Sequence, residues 1–463
     1  MASQAGDSAT ATLRAHGAMT LGIGSAVLLC SSLTGPPAIA ASPDAYAHIR
    51  AEVDQSLKQD VLDRWYPAAR NPRGGFLQDF REDWSPGANQ EQGIVYQSRL
   101  TWVAAEASSR DPKRHAEYVE DARHGLSALE TLMWDDRDGG LFWSVDNAGH
   151  PSSGNADKHA YGISFGIYAA SAVYHRTHNP QALELARRGF HWLDGHAHDA
   201  GNGGYFEALS RSGTPIMTAP AGSPNDFIGT PYGHKSMNAH IHLLEAFTAL
   251  YEVWPDPDLR SRLEELLTIV RDKVTTPDGY MNLIFQPDWT PAGNDDSYGH
   301  DIETAFLLVE ACAALGKADD GATWAVSQRL VDHALRYGWD AEHGGFYDEG
   351  PSNGPAARKN KIWWVQAEGL NALLLMHERY GRRTPVYWNA FVKQWRFIAD
   401  HQIDRRHHGW FPAVAADGTP KQGDIKSDGW TDPYHQGRAL MNVSDRLRKL
   451  ETHAERPSVV PQR

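Results

Sequence analysis

Gly139-Gly140-Leu141-Phe142 is one copy of a signature that recurs along the chain. The others are Gly74-Gly75-Phe76, Gly203-Gly204-Tyr205-Phe206, Asp278-Gly279-Tyr280, Gly344-Gly345-Phe346-Tyr347 and His408-Gly409-Trp410-Phe411. Counted from the last Gly of each copy, the spacings are 65, 64, 75, 66 and 64 residues. Glycine before an aromatic or apolar residue marks a tight turn needing φ > 0 that leads into a short strand or hairpin. Self-similarity at a fixed period is the mark of a repeat architecture. Six units decide the fold.

Between the turns the pattern is helical. Apolar residues recur at three and four, as in Leu183, Ala186, Phe190 and Leu193, or Leu263, Leu266, Leu267 and Val270. Asp111-Pro112, Asn179-Pro180 and Pro255-Asp256-Pro257 punctuate the helix pairs. Twelve helices are predicted, near 44–67, 94–109, 113–134, 158–177, 181–197, 235–254, 258–274, 299–315, 321–337, 361–380, 385–400 and 433–451. Six helical hairpins form either an open solenoid or a closed ring. Neither end resembles a polar cap, so closure is expected. The fold class is all-α, an (α/α)6 barrel with short Gly-rich β-hairpins at one end.

Composition narrows the function classes. The 463 residues are 41% hydrophobic and 22% charged, which excludes a disordered chain. Net charge is −14 with no long basic run, so nucleic acid and anionic membranes are poor partners. Cys30 and Cys312 are too few for a disulfide framework. In residues 1–40 an apolar stretch from Ala18 to Leu33 follows Arg14, and Ala38-Ile39-Ala40 closes it. That reads as a secretory signal cleaved after Ala40. Residues 41–463 are then one catalytic domain, secreted or periplasmic and free of the membrane, leaving Cys312 as its single cysteine. Its oligomeric state is not legible.

The helix after each Gly turn begins with polar, reactive side chains in an apolar setting. The starts hold Gln97-Ser98-Arg99; His159-Ala160-Tyr161; Asn238-Ala239-His240-Ile241-His242; His300-Asp301-Ile302-Glu303; Trp363-Trp364-Val365-Gln366-Ala367-Glu368; and Trp430 with Tyr434-His435-Gln436-Gly437-Arg438. In a ring of six hairpins these converge on one mouth. Asn238, His242 and Glu245 share a helix face, which points His242 inward and leaves His240 as a packed histidine. Glu303, three residues after His300, is placed to orient its imidazole. Arg438 sits beside the start of its helix, where a cation opposes the dipole. Singly, Trp363, Trp364 and Trp430 read as core aromatics.

None of these starts carries a helical zinc pair, so no metal or other cofactor is expected. Two or three histidines without a metal suit reversible proton transfer beside a carbonyl. One imidazole removes a C–H proton and a second returns it to the opposite face. Arg99 is placed to stabilise the enediolate oxygen. Glu303, Glu368 and Asp301 also admit a glycoside hydrolase, in which the histidines have no task.

Lys235-Ser-Met-Asn-Ala-His-Ile-His-Leu-Leu-Glu-Ala246, Ser297-Tyr-Gly-His-Asp-Ile-Glu303, Lys361-Ile-Trp-Trp-Val-Gln-Ala-Glu368 and Pro433-Tyr-His-Gln-Gly-Arg438 together resemble the N-acylglucosamine 2-epimerase superfamily. The likeness is strongest to its cellobiose 2-epimerase branch and spans about residues 45–450. It implies an (α/α)6 barrel that epimerises C2 of a reducing-end sugar, either cellobiose or mannobiose or a free aldose such as mannose, without a cofactor, by ring opening and a cis-enediol. By motif, His300 and His435 resemble the acid/base pair and His242 a third histidine assisting ring opening. His300 and His435 are expected at a water-facing mouth. Arg99 resembles the arginine near O1 and O2; Tyr161, Asn238, Glu303 and Glu368 are further substrate-binding candidates. Trp363 or Trp364, with Trp430, resemble aromatic platforms for the sugars. The alternatives are an aldose–ketose isomerase of mannose–fructose type and, from another class, a secreted (α/α)6 glycoside hydrolase or sugar-binding protein.

Overall fold

The computed structural model describes residues 40–152, 156–421, 423 and 425–454. The expected signal sequence falls almost wholly outside them. Helix α1 (Pro43–Ser56) continues through a π-helical segment, Leu57–Leu62, into α2 (Asp63–Ala69). There follow α3 (Ile94–Ala107), α4 (His115–Ala128), α5 (Ala160–Thr177), α6 (Pro180–His196) and α7 (Met237–Val253). The chain goes on through α8 (Pro257–Ile269), α9 (Tyr298–Ala314), α10 (Gly321–Tyr337), α11 (Trp363–Tyr380), α12 (Val386–Phe397) and α13 (Tyr434–Ala454). The predicted helices lie within a few residues of these. Asn179, Asp256 and Asp320 cap α6, α8 and α10 with side-chain oxygens, and Pro180 and Pro257 take first-turn positions where no N–H is needed.

Helices α3, α5, α7, α9, α11 and α13 pack side by side, and α13 returns to α3. The ring is closed, an (α/α)6 barrel. Helices α4, α6, α8, α10 and α12 each back the inner helix that precedes them. The sixth outer position is filled by α1, which packs on α13 and ties to it through Arg50–Glu451 at 2.6 Å and Ser444–Asp54 at 2.5 Å. Burial separates the two rings. Helix α5 is buried from Ala160 to Ile167 without a break, whereas α6 buries one stripe: Ala182, Leu185, Ala186, Gly189, Phe190, Trp192 and Leu193.

The Gly turns lie at one end. Gly139 and Gly140 have φ of 71° and 75°, and a Cβ on Gly140 would come 2.8 Å from the Trp192 ring. Each turn carries a single β-bridge, such as Trp134↔Leu141. The longer ladders differ from the expected hairpins, because they join one repeat to the next. Strands β1 (Phe80–Arg81), β2 (Gln92–Gly93), β3 (Ser144–Val145), β4 (Lys158–His159), β5 (Ala208–Leu209) and β6 (Lys235–Ser236) precede β7 (Ile284–Phe285), β8 (Asp295–Ser297), β9 (Glu349–Pro351), β10 (Lys361–Ile362), β11 (Ala413–Val414) and β12 (Ile425–Ser427). Five antiparallel pairs run β2·β3, β4·β5, β6·β7, β8·β9 and β10·β11; β1·β12 closes the circle. Each strand entering an inner helix is thereby fixed by the following repeat.

A buried lysine locks four of these junctions. Lys158, Lys235, Lys361 and Lys426 each hold an Asp of the preceding turn (Asp135, Asp199, Asp340, Asp404) at 2.7–2.9 Å and donate to turn carbonyls as well. Gln92 takes the place in the first repeat and donates to Gly74 O. Inner helices reach the same turns: Gln97, His240 and Gln366 accept from the N–H of Phe76, Tyr205 and Phe346. Among the described residues no helix is long and apolar enough to cross a membrane.

Candidate active site

The inner helices all begin at the turn end, so their N-termini converge there. A cavity of about 180 Å³ at that convergence is lined by Arg99, Tyr161, Asn238, His242, His300, Glu303, Trp363, Trp364, Trp430 and His435. The eleventh candidate, Glu368, lies beneath His435 and accepts from it at 2.6 Å. All eleven come together. The helix starts also place partial positive charge around the cavity, which favours an anion forming within it.

Three histidines have their Nδ1 atoms engaged, which leaves each Nε2 as the remaining ring nitrogen. His435 Nδ1 meets Glu368, His242 Nδ1 meets Glu245 at 2.9 Å, and His300 Nδ1 meets Ser297 Oγ at 2.7 Å. This corrects one expectation: Glu303 does not orient His300, because its carboxylate is taken by Arg438. Trp364 packs against both proton-transfer candidates, with ring centroids 4.7 Å from His300 and 5.5 Å from His435. Both Trp363 and Trp364 face the cavity, so neither is only core.

The expected water-facing mouth is corrected for one of its two residues: His435 is 5% exposed, whereas His300 is half-buried. Burial pushes the His300 pKa down to about 4 against the pull of Glu303, and pushes His435 well below the ordinary imidazole range. Both are neutral near pH 7, as a proton acceptor must be.

Beneath them Arg438 is the centre of a buried charge network. Its guanidinium donates to Glu245, Glu303, Glu368 and the Tyr434 hydroxyl. Burial works to raise the Glu245 pKa, but Arg438, His242 and Tyr434 outweigh it and hold it near 2. The position of Arg438 near the N-terminus of α13, unfavourable for its own helix, is offset by three carboxylates from α7, α9 and α11. Glu303, Glu368 and His435 are close enough together for an ion, but Arg438 already supplies the cation there. Arg99 is fixed by Asp432 at 2.9 Å and by the Tyr161 hydroxyl at 3.3 Å, and lies over the Phe165 ring.

Several polar atoms in and below this wall are buried without a partner: Asn238 Oδ1, Glu303 Oε2, Glu368 Oε2, Arg99 Nε and Trp363 Nε1. Buried polar atoms are normally satisfied, and a polyhydroxylated ligand supplies what these lack. At the rim Trp430 is 45% exposed, with Trp143 at 6.0 Å and Phe227 stacked on Trp143 at 4.8 Å. Trp143 and Phe227 were missed by the sequence reading, since both lie on loops outside the helix starts. Ser297, Asp432 and Arg438 stand inside the quoted motifs or beside them, so proximity was the available signal.

The profile of N-acylglucosamine 2-epimerase (GlcNAc 2-epimerase) matches residues 74–439. The cellobiose 2-epimerase of Bacteroides fragilis is 30% identical over 401 residues, covering 85% of this chain and 98% of its own. The D-mannose isomerase of Marinomonas mediterranea is 24% identical, over 82% of this chain and 93% of its own. The solved cellobiose 2-epimerase of Spirochaeta thermophila superposes with a TM-score of 0.78 at 29% identity, covering 88% of this chain and 98% of its own.

Proposed function

We infer substrate and mechanism from one premise: the chain belongs to the N-acylglucosamine 2-epimerase family and is a sugar 2-epimerase, an isomerase. The substrate we propose is a β-1,4-linked disaccharide with a glucose- or mannose-type reducing end, cellobiose and mannobiose among them. The observation that carries the mechanism is that His300 and His435 both line the cavity against Trp364, each with Nδ1 anchored.

In this reading His242, held by Glu245, handles the proton that opens the sugar ring. One of His300 and His435 takes the C2 proton on Nε2 and becomes an imidazolium. The electron pair moves into the C1–C2 bond and the carbonyl oxygen becomes an enediolate, which the Arg99 guanidinium stabilises. The other imidazole takes up a proton from solvent as the sugar binds and delivers it to the opposite face of C2, and the first returns its proton to solvent as the product leaves. Glu368 and Glu303, at 2.6 and 3.8 Å from His435, favour its imidazolium during that exchange. Trp430, Trp143 and Phe227 offer an aromatic wall for the second sugar, remote from C2. The reading of residues 1–40 as a secretory signal supports a site of action outside the cytoplasm.

The test is NMR of cellobiose, mannobiose, mannose and glucose incubated with the protein in D2O. Deuterium at C2 with the epimeric disaccharide accumulating is the expected result. Ketose formation without the C2 epimer, or turnover of free aldoses only, would overturn it.

A further inference from the structure

The junction between the turn at residues 276–281 and α9 departs from the lysine rule that four of the other five repeats follow. In register with Lys158, Lys235 and Lys361, the strand before α9 carries Asp296, opposite Gly350. Where the lysines meet an Asp of the turn, this turn has Thr276, whose N–H bonds Tyr280 O as Asp135 N–H bonds Gly140 O. Where Gln97, His240 and Gln366 accept from the turn, Asp301 accepts from Met281 N–H at 3.0 Å. A cation has been removed and two carboxylates have been added in one place.

His333 of α10 completes the group, its Nδ1 3.4 Å from both Asp296 Oδ2 and Asp301 Oδ2. Asp296 and Asp301 are fully buried and His333 is 4% exposed. Both oxygens of Asp296, the second oxygen of Asp301 and both ring nitrogens of His333 lack a well-formed hydrogen bond, the two carboxyls facing each other and the Asn353 side chain lying near His333. Five such polar atoms in one buried spot, two of the side chains acidic, require compensation.

We propose that Asp296, Asp301 and His333 bind one divalent transition-metal cation, which takes the structural part played by the buried lysine in the other repeats. One ligand atom from each residue lies within 4.8 Å of the others, which suits a single ion at ordinary nitrogen and oxygen bond lengths. One imidazole and two carboxylates are a donor set for Zn²⁺ or Mn²⁺, and binding takes the histidine neutral and both acids ionised. The ion joins the strand before α9, α9 itself and α10, and Asp301 ties in the turn through Met281 N–H. It sits behind the helix start that presents His300 and takes no part in the chemistry at C2.

Metal content of the purified full chain, by mass spectrometry after removal of loosely held ions, is the first measurement. About one equivalent of a transition metal is expected. Chelated protein given Co²⁺ should develop visible d–d absorption, and chelation should lower Tm until Zn²⁺ is returned. Asp296→Lys supplies the ammonium of the other repeats, so it should fold, hold less than a tenth of the metal and show a Tm indifferent to chelator. Asp296→Asn is the second variant and should also lose the cobalt spectrum. No metal with no Co²⁺ spectrum and no Tm response would overturn the proposal in favour of a proton shared among the three. Full metal content in both variants would place the ion elsewhere and overturn it equally.

Discussion

Arg438 on α13 donates to Glu368 on α11 at 2.7 Å, and the same Glu368 oxygen accepts from His435 at 2.6 Å. One carboxylate therefore joins the charge network under the cavity to an imidazole that lines it. Arg438 keeps Glu368 in place; Glu368 keeps the His435 ring turned with Nδ1 inward. The two contacts also oppose each other, since a carboxylate held by a guanidinium stabilises an imidazolium less. That balance leaves His435 neutral and still able to take a proton.

Replacing Glu368 by Gln is expected to leave the shape of the site intact while removing its charge. The amide can present either oxygen or nitrogen to Nδ1, so the tautomer is no longer fixed. A fall in kcat of about 10²–10⁴-fold with little change in KM or Tm is expected, the usual worth of an acid/base group and its orienting partner. Steady-state kinetics check this; an equal rise in KM with kcat untouched would make Glu368 a binding residue only.

Arg438→Met is expected to be a stability variant first. It strands three buried carboxylates, and breaking a buried ion network by removing one partner costs about 3–5 kcal/mol. Thermal unfolding should show a large drop in Tm. A melting curve within a degree or two of the parent would contradict the network.

His300→Ala and His435→Ala should each lower kcat by about 10²–10⁴-fold. His435 is buried and His300 half-buried, so a modest loss of Tm accompanies the kinetic effect while circular dichroism stays native. Near-normal turnover in either folded variant removes that residue from the proton-transfer pair.

Trp430→Ala is expected to separate substrates. An aromatic face against a second pyranose is worth about 1 kcal/mol beyond area burial, so kcat/KM on a disaccharide should fall several-fold more than on mannose. Equal losses would put Trp430 at the reacting sugar.

His240→Gln tests a pH effect away from the cavity. Burial holds the folded His240 pKa down at about 3. An unfolded chain takes up that proton near pH 6.5, so the unfolded state binds more protons below it and stability is lost as pH falls from 6.5 towards 3. The slope is about 1.4 kcal/mol per pH unit for such a group. Glutamine keeps the acceptor for Tyr205 N–H, as Gln97 and Gln366 do for their turns. The variant should fold at pH 8 and show a flatter fall of Tm between pH 6.5 and 4.5; an unchanged slope would mean His240 titrates in the folded state.

The periodic glycines, the helix pairs and the reactive residues at alternate helix starts were all legible in the sequence. They depend on local rules: a backbone angle that favours glycine, a 3.6-residue period, and a repeat that carries one position to the same place in every unit. Symmetry then brought Arg99, His242, His300 and His435 to one cavity without any distance being known. What holds those side chains was decided by tertiary structure alone. Arg438 draws its partners from α7, α9 and α11, and spacing along one helix says nothing of contacts across a ring. Glu303 had a neighbour on its own helix and bonded instead to a stronger cation from another. Asp296, Asp301 and His333 meet because β8, α9 and α10 pack at one junction, and α1 closes the barrel because α13 returns beside it. Local chemistry set the elements, and the closing of the ring chose which charges face one another.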